Sequence, residues 1–286
     1  MTRVAICAHY ERPDVVDLIE QTMSWIDSHG HEGWLSPDDG AELDLNHHVD
    51  ERPISEADVV LCLGGDGTML RAVGALDGAS VPLLGVNLGQ LGYLTEIEPG
   101  EITHALDRFS QGDAAGGWHL DTRLMVHIEV RRGDEELGRW RALNEVVVEK
   151  HAAGHTVRLL ARIDGEPFTS YAADGLIVST PTGSTAYSLS ARGPVVSPRH
   201  RALLLTPVSP HMLFDRTLVL DPSEVVEIEV AGHRQAEVAV DGRLVLTVDP
   251  GDTVRCRPAD ETASFVRFGP YRYHQILKTK FGLMDR

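Results

Sequence analysis

The sequence predicts an α/β protein, in which a Rossmann-like α/β domain is followed by a β-rich domain of the β-sandwich type. Three observations carry that prediction. Up to about residue 121 short apolar runs alternate with amphipathic segments; the Gly-rich stretch Gly112 to Gly117 then marks a change of texture; beyond it strand-like runs follow one another, separated by turn residues.

In the first part, Val4 to Cys7 reads as a strand, Pro13 to Ser28 as a helix, Ala57 to Leu63 as a strand, Thr68 to Leu76 as a helix and Val81 to Val86 as a strand. This βαβαβ order implies a parallel sheet with helices on its faces, and such sheets bind ligands beyond the carboxyl ends of their strands. Residues 29 to 56, rich in Gly, Asp, His and Pro, read as loop with one short strand. In the second part strands are expected over Leu124 to Arg131, Trp140 to Glu149, Thr156 to Ile163, Phe168 to Ala173, Leu176 to Ser179 and Leu203 to Pro207. They continue over Thr217 to Leu220, Val225 to Val230, Glu237 to Val240, Leu244 to Val248 and Thr253 to Arg257. Asp164-Gly165 and Asp241-Gly242 lie between such runs and have hairpin-turn chemistry, because both residue types tolerate positive φ. Phe265 to Gly282 is expected to form a short closing helix. The domain limits read from this pass are 1–121 for the α/β part, 122–260 for the β-rich part, and 261–286 for a segment packing back on the first domain.

The 286 residues are 42% hydrophobic and 24% charged, with a formal net charge of −17. A field of that sign repels nucleic acid and anionic membranes, so small-molecule partners are favoured, and bound phosphates would call for a divalent cation. Cys7, Cys62 and Cys256 are odd in number and far apart, and read as buried reduced thiols. His47 and His48 sit in a polar, acidic stretch with no second ligand pair nearby, and read as surface loop rather than as a metal site. With no leader-like start and no apolar run near the ~20 residues that span a bilayer, the expected compartment is the cytoplasm.

Three constellations carry chemistry. Gly64-Gly65-Asp66-Gly67-Thr68 joins an apolar strand to a helix, where bare amides and the positive end of the helix dipole suit a phosphate chain. Gly64, Gly65, Gly67 and Thr68 are therefore the candidate phosphate-donor loop, with Thr68 a suitable helix cap. It is neither a P-loop nor a Gly-x-Gly-x-x-Gly turn, and it carries a carboxylate. Beside phosphate, Asp66 makes sense as a general base or as a metal partner; it could equally be an exposed acid at the start of a helix. The second is the run Ser179 to Ser190, which follows the strand Leu176-Ile177-Val178 and is dense in hydroxyls. Its amides and hydroxyls could solvate phosphate and ribose oxygens, and Tyr187 offers a flat face to a base; a surface loop has the same composition. The third is Asn144-Glu145 within a strand-like run, able to accept from a ribose diol, or else an exposed Glu beside a strand Asn.

Taken together and in order, these pieces resemble the NAD kinase family: Gly64 to Thr68, the Gly-Val-Asn-Leu-Gly-Gln-Leu-Gly-Tyr-Leu run at 85 to 94, Asn144 to Val147, and the long Asp174 to Ser190 run. The likeness spans roughly residues 57 to 245. It implies transfer of a phosphoryl group from ATP, or polyphosphate, to the 2′-hydroxyl of the adenosine ribose of NAD. It also implies a divalent metal such as magnesium, and assembly as a homodimer or homotetramer. Carried over by position, Asp66 becomes the proton acceptor, with Gly67 beside it; Asn144, Glu145, His155, Asp174, Thr185, Ala186, Tyr187, Ser188, Leu189 and Ser190 become dinucleotide contacts, with Ser209 and Arg243 at more variable positions. Two departures stand out. Arg192 occupies a place where relatives commonly have Gly, and Ala172 one where some carry a basic residue. A lipid or diacylglycerol kinase shares Gly-Gly-Asp-Gly-Thr but continues differently from Val86-Asn87-Leu88-Gly89-Gln90. A non-catalytic NAD(P)-binding sensor would have little use for Asp66.

Overall fold

A parallel sheet organises the first of two units, which takes in the chain up to Thr122 and again from Ala263. The computed structural model describes residues 1–12, 14–152 and 154–283. Pro13, with which the first predicted helix begins, and residues 284–286 of the predicted closing segment lie outside them. The elements of the first unit are β1 (Arg3–Ala8), α1 (Val15–Ser28), β2 (Glu32–Leu35), α2 (Pro37–Leu43), β3 (Val59–Leu63), α3 (Asp66–Leu76), β4 (Leu83–Val86), α4 (Ile102–Ser110) and α5 (Asp113–Gly116). Its strands run in the order β2-β1-β3-β4, all parallel. Every residue of β3 is buried, as an apolar strand covered on both faces must be. Helix α1 buries Val15, Ile19, Met23 and Ile26, a single face at spacings of three and four.

Three helices depart from the predicted set, the shortest being α5, a single turn inside the Gly-rich stretch. The segment read as loop contains α2, whose Ser36 Oγ accepts from the Asp39 amide at 3.2 Å. It is short and acidic and has Gly40 at its centre, so no apolar period announces it; a Cβ on Gly40 would stand 2.0 Å from Val49 Cγ2. Helix α4 is a plainer omission, since Ile102, Ala105, Leu106 and Phe109 are buried at helical spacing.

The second unit, Arg123–Thr262, is two sheets face to face. Its elements follow β5 (His119–Arg132), which enters from the first unit: β6 (Glu135–Ala142), β7 (Glu145–Lys150), β8 (Val157–Ile163), β9 (Glu166–Ala173), β10 (Gly175–Ser179), α6 (Tyr187–Ser190), β11 (Leu203–Val208), β12 (Leu218–Leu220), β13 (Val226–Ala231), β14 (Ala236–Val240), β15 (Arg243–Val248) and β16 (Thr253–Arg267). A last helix, α7 (Tyr273–Lys280), belongs to the first unit. One sheet has the order β12-β11-β10-β7-β14-β15, antiparallel throughout. In the other, β16-β13-β8-β9 pair in sequence and β5 pairs β16 and β6. Alternate residues of both sheets, among them Val126, Leu159, Ile228, Val146, Val178 and Val238, meet in one core.

The expected hairpin turns are present: Asp164 and Gly165 have φ of 52° and 81°, Asp241 and Gly242 of 46° and 79°. The strand predicted over Trp140 to Glu149 is corrected, because the chain breaks at Leu143-Asn144 and passes from β6 in one sheet to β7 in the other. β16 also runs ten residues beyond its predicted end at Arg257, to Arg267.

Candidate active site

In the first unit β3 ends at Leu63 and α3 begins at Asp66, with Gly65 as its N-cap. The helix thus starts two residues earlier than predicted, and Thr68 is a buried residue of its first turn rather than the cap. Gly64 is required by the protein itself, since a Cβ there would lie 2.2 Å from Thr68 Oγ1. Gly65 and Gly67 are different: a Cβ on either would meet no protein atom within 4 Å. Both line a cavity of about 530 Å³, together with Gly64, Thr68, His9, Tyr10, Arg12, Arg71, Asn87 and Gly89. Their bare backbone is turned to whatever enters that cavity, and it faces cations in a chain of net charge −17. Arg71 is fixed by Asp39 Oδ1 at 2.8 Å, by the Ala8 carbonyl at 2.5 Å and by the Tyr10 hydroxyl. Asp39 is itself buried, so this guanidinium is held rather than free to wander.

Asp66, half-buried, is seated on the loop after β4. Its Oδ2 accepts from the Tyr93 amide at 3.0 Å and its Oδ1 from the Leu94 amide at 2.9 Å. Gly92 allows that approach, for a Cβ there would stand 2.4 Å from Asp66 Oδ1. The carboxylate is therefore oriented by two amides and keeps a second lone pair on each oxygen for other partners.

In the second unit the break at Asn144 is the centre of a second arrangement. Asp241 accepts from three successive amides, Leu143 at 2.8 Å, Asn144 at 2.8 Å and Glu145 at 3.1 Å. That clamp bends the chain from β6 into β7. The loop after β10 closes over the same place: Thr180 donates its amide to the Asn144 carbonyl at 2.8 Å and its hydroxyl to the Leu143 carbonyl at 2.6 Å. Gly183 packs there with no room for a Cβ, which would lie 2.2 Å from the Asn144 carbonyl oxygen.

Glu145 is buried, 6% exposed, against the alternative of an exposed acid. Burial first, and the charge of Asp241 second, push its carboxyl up to about 8, opposed by a hydrogen bond from the Tyr187 amide at the start of α6. Its Oε2 is buried without a hydrogen-bond partner among the described residues. A lone buried oxygen in a polar group is the kind of atom a ligand completes.

Two sequence-based matches from known proteins decide the family. Residues 11–114 match the ATP-NAD kinase N-terminal domain and residues 143–268 the ATP-NAD kinase C-terminal domain. The chain belongs to the NAD kinase family. It is 35% identical to the NAD kinase of Syntrophotalea carbinolica over 290 aligned residues, covering 100% of both chains. To the NAD kinase of Moorella thermoacetica it is 37% identical, covering 98% of this chain and 89% of that one. A crystal structure of yeast NADH kinase complexed with NADH shares the fold at a TM-score of 0.86, with 24% identity over 100% of this chain and 89% of the other. That of an Archaeoglobus fulgidus NAD kinase in complex with ATP does so at 0.74, with 22% identity over 99% and 100%.

The remaining residues expected from the NAD kinase resemblance belong to the second unit. Asp174 pairs with Lys150 Nζ at 2.5 Å and donates its amide to the Val208 carbonyl, which brings Ser209, exposed at φ 46°, beside it. Tyr187 is raised above the usual phenol range by burial and by the charges of Glu149 and Asp174. Much of the hydroxyl-dense run knits itself together: Ser184 bonds both the amide and the carbonyl of Val196, and Ser188 bonds Thr206 at 3.0 Å. Thr185 donates its hydroxyl to the Thr182 carbonyl at 3.4 Å, while Ser190 is exposed and Ala186 and Leu189 are partly so. His155 is exposed on the β7–β8 connection, and no hydrogen bond joins it to the Asn144–Tyr187 group among the described residues. Arg243 is exposed at the start of β15, two residues after Asp241.

Asp241 organises this corner through three amides, beyond the hairpin turn expected of Asp241-Gly242. Its only sequence signal is Asp-Gly, which marks hairpins everywhere.

Proposed function

We propose that this chain is an NAD kinase that moves the terminal phosphoryl group of ATP onto the 2′-hydroxyl of the adenosine ribose of NAD, giving NADP. The observation that carries the reading is Asp66, held on the amides of Tyr93 and Leu94 at the start of α3, between Gly65 and Gly67, which line a cavity that also bears Arg12 and Arg71. A carboxylate near a phosphate cradle is unfavourable for binding alone; it has a use where an alcohol must lose its proton. In the reaction the ribose oxygen attacks phosphorus, its proton passes to Asp66, and the bond to the leaving ADP oxygen breaks.

Gly64, Gly65, Gly67 and Thr68 supply the donor-phosphate loop, and α3 directs its dipole there. A divalent metal, magnesium in this reading, would neutralise phosphate charge when bound; the free lone pairs of Asp66 fit such an oxygen-seeking ion, directly or through water. On the second unit, Glu145 Oε2 and Asn144 serve the ribose hydroxyls and Tyr187 the base, and Asp174, Ser190, His155, Ser209 and Arg243 are further dinucleotide contacts in this reading. The 261–286 segment is taken to complete the α/β domain. The enzyme is further taken to act as a homodimer or homotetramer in the cytoplasm, a location supported by the unlinked thiols of Cys7, Cys62 and Cys256. Nucleic acid and membranes are not among its partners in this reading, which rests on the net charge of −17. No helix among the described residues is long and apolar enough to cross a membrane.

The test is to incubate the purified protein with NAD, ATP and magnesium and to follow NADP with an NADP-specific dehydrogenase, with a diacylglycerol as the competing acceptor. NADP should form and the lipid should not be phosphorylated. Asp66→Asn is expected to leave NAD binding nearly intact and to cut turnover by roughly a hundredfold or more. Turnover that survives the substitution removes Asp66 from its role, and absence of NADP with the wild-type chain removes the reading.

A further inference from the structure

On the first unit, Glu20 of α1 and the histidines of the turn Asn46–His48 bring three metal-ligating atoms together. His47 Nε2 lies 2.9 Å from Glu20 Oε1 and His48 Nε2 lies 3.0 Å from Glu20 Oε2. The two ring centroids are 4.1 Å apart, and the three ligand atoms fall within 4.8 Å of one another, the one such group among the described residues. Consecutive side chains on a helical turn point roughly 100–120° apart. Two neighbouring histidines therefore seldom address one carboxylate, and here both do.

The spacing suits a coordination shell. Zinc holds imidazole nitrogen at about 2.0–2.1 Å and carboxylate oxygen at about 2.0–2.2 Å, so adjacent ligand atoms of a tetrahedral shell stand roughly 3.3–3.5 Å apart. The N···O separations of 2.9 and 3.0 Å, hydrogen bonds in the metal-free chain, fall a few tenths of an ångström short of that, so the side chains open slightly to admit the ion. The ligand nitrogens of the two rings lie within 4.8 Å of each other, and the His47 side chain, 60% exposed, has solvent beside it. We propose that Glu20, His47 and His48 form a binding site for a divalent transition metal of the zinc type, with water completing the shell. Imidazole ligands select such an ion over magnesium, which takes oxygen donors, so the site is distinct in kind from the metal that accompanies the donor phosphates. The ion replaces the Nε2 proton of each ring and clips α1 to a turn that lies 27 and 28 residues further along the chain. The role is structural. The cluster was invisible in sequence because its third ligand lies in a helix far upstream of the His-His pair.

Zinc should be titrated into the full-length protein against a chromophoric chelator, with magnesium in large excess throughout. One tight site is expected in the wild type. Glu20→Gln and His48→Ala should each lower its affinity by at least about tenfold, the scale on which even outer-shell changes act, while the kinase reaction and the circular dichroism of the apoproteins stay unchanged. Equal zinc affinity and stoichiometry in the wild type and in the Glu20→Gln/His48→Ala double variant would overturn the proposal. A measurement that needs no variant protein to stay folded is the imidazole C–H spectrum of the wild type. One equivalent of zinc should shift two adjacent-residue rings, His47 and His48, before any other; movement of other histidines with those two unmoved also overturns it.

Discussion

Glu145 shows how one side chain can be a binding group and a pH-sensitive element at once. One carboxyl oxygen takes the Tyr187 amide and the other, Oε2, is buried without a hydrogen-bond partner among the described residues. With its carboxyl pushed up to about 8, Glu145 is mostly protonated at neutral pH and can donate as well as accept, which suits a sugar hydroxyl. The folded chain holds this proton more tightly than the unfolded chain, whose glutamates titrate near ~4.3. The associated stability is complete below the unfolded value and is lost as pH rises through about 8. Glu145→Gln keeps an acceptor for the Tyr187 amide and has no proton to lose. It should match the wild type in thermal unfolding at about pH 5 and exceed it at about pH 9, by on the order of a few kcal/mol. If the two proteins show the same pH slope, Glu145 is ionised in the folded state and its assignment as a neutral acid is wrong. Asp66 was legible at this scale because it interrupts a glycine run at a strand end. Glu145 was less so, since a strand Glu is exposed by default and its burial depends on the loop after β10.

At the scale of elements, the short helix α6 ends in a turn that explains the departure at Arg192. The Gly193 amide donates to the Ser188 carbonyl at 2.8 Å and the Arg192 amide to that of Leu189 at 3.0 Å, the paired bonds of a Schellman end. Arg192 occupies its left-handed position, with φ 68°, and its side chain is exposed. Glycine adopts that conformation without a Cβ penalty, so Arg192→Gly should raise stability by up to about 1 kcal/mol in denaturant unfolding. A loss of stability instead would mean that the arginine side chain makes a compensating contact. The clamp at Asp241 works in the opposite direction. Asp241→Ala leaves three part-buried amides without their acceptor, at up to about 1–3 kcal/mol apiece before relaxation, and frees the Asn144–Glu145 corner. NAD affinity, followed by calorimetry, should fall by roughly tenfold or more along with the unfolding midpoint; unchanged affinity would separate Asp241 from the site. The hairpins at Asp164 and Asp241 could be read from local turn chemistry. The corner at Asn144 could not, because its cause lies about a hundred residues away, and a run such as Trp140 to Glu149 looks continuous until that partner is known.

For the whole molecule, the first unit is assembled from two distant stretches of chain, and Arg267 is where they are joined. Its guanidinium is 1% exposed and donates to Glu96 Oε2 at 3.0 Å, to Asp121 Oδ2 at 3.4 Å and to the carbonyls of Leu94 and Thr95 at 3.2 and 3.1 Å. The Phe268 amide adds a bond to Glu96 Oε1 at 2.8 Å, and Phe265 pairs with Leu83 of β4. The peptide at Leu94 is thus held from both sides: its carbonyl by Arg267, its amide by Asp66. Removing the cation leaves Glu96 and Asp121 buried or half-buried without it, so Arg267→Leu should cost about 3–5 kcal/mol. Because the loop it steadies is the seat of Asp66, kcat should fall as well. The KM for NAD should hardly move, since the residues assigned to the dinucleotide stand on the second unit. Arg267→Lys restores the charge with fewer donors and is expected to fall between the two. The decisive comparison is kcat per folded molecule, with the folded fraction taken from unfolding curves at the assay temperature. If that quantity equals the wild-type value in Arg267→Leu while stability drops, the arginine only holds the two stretches together, and the Leu94 peptide carries no positional information to the carboxylate.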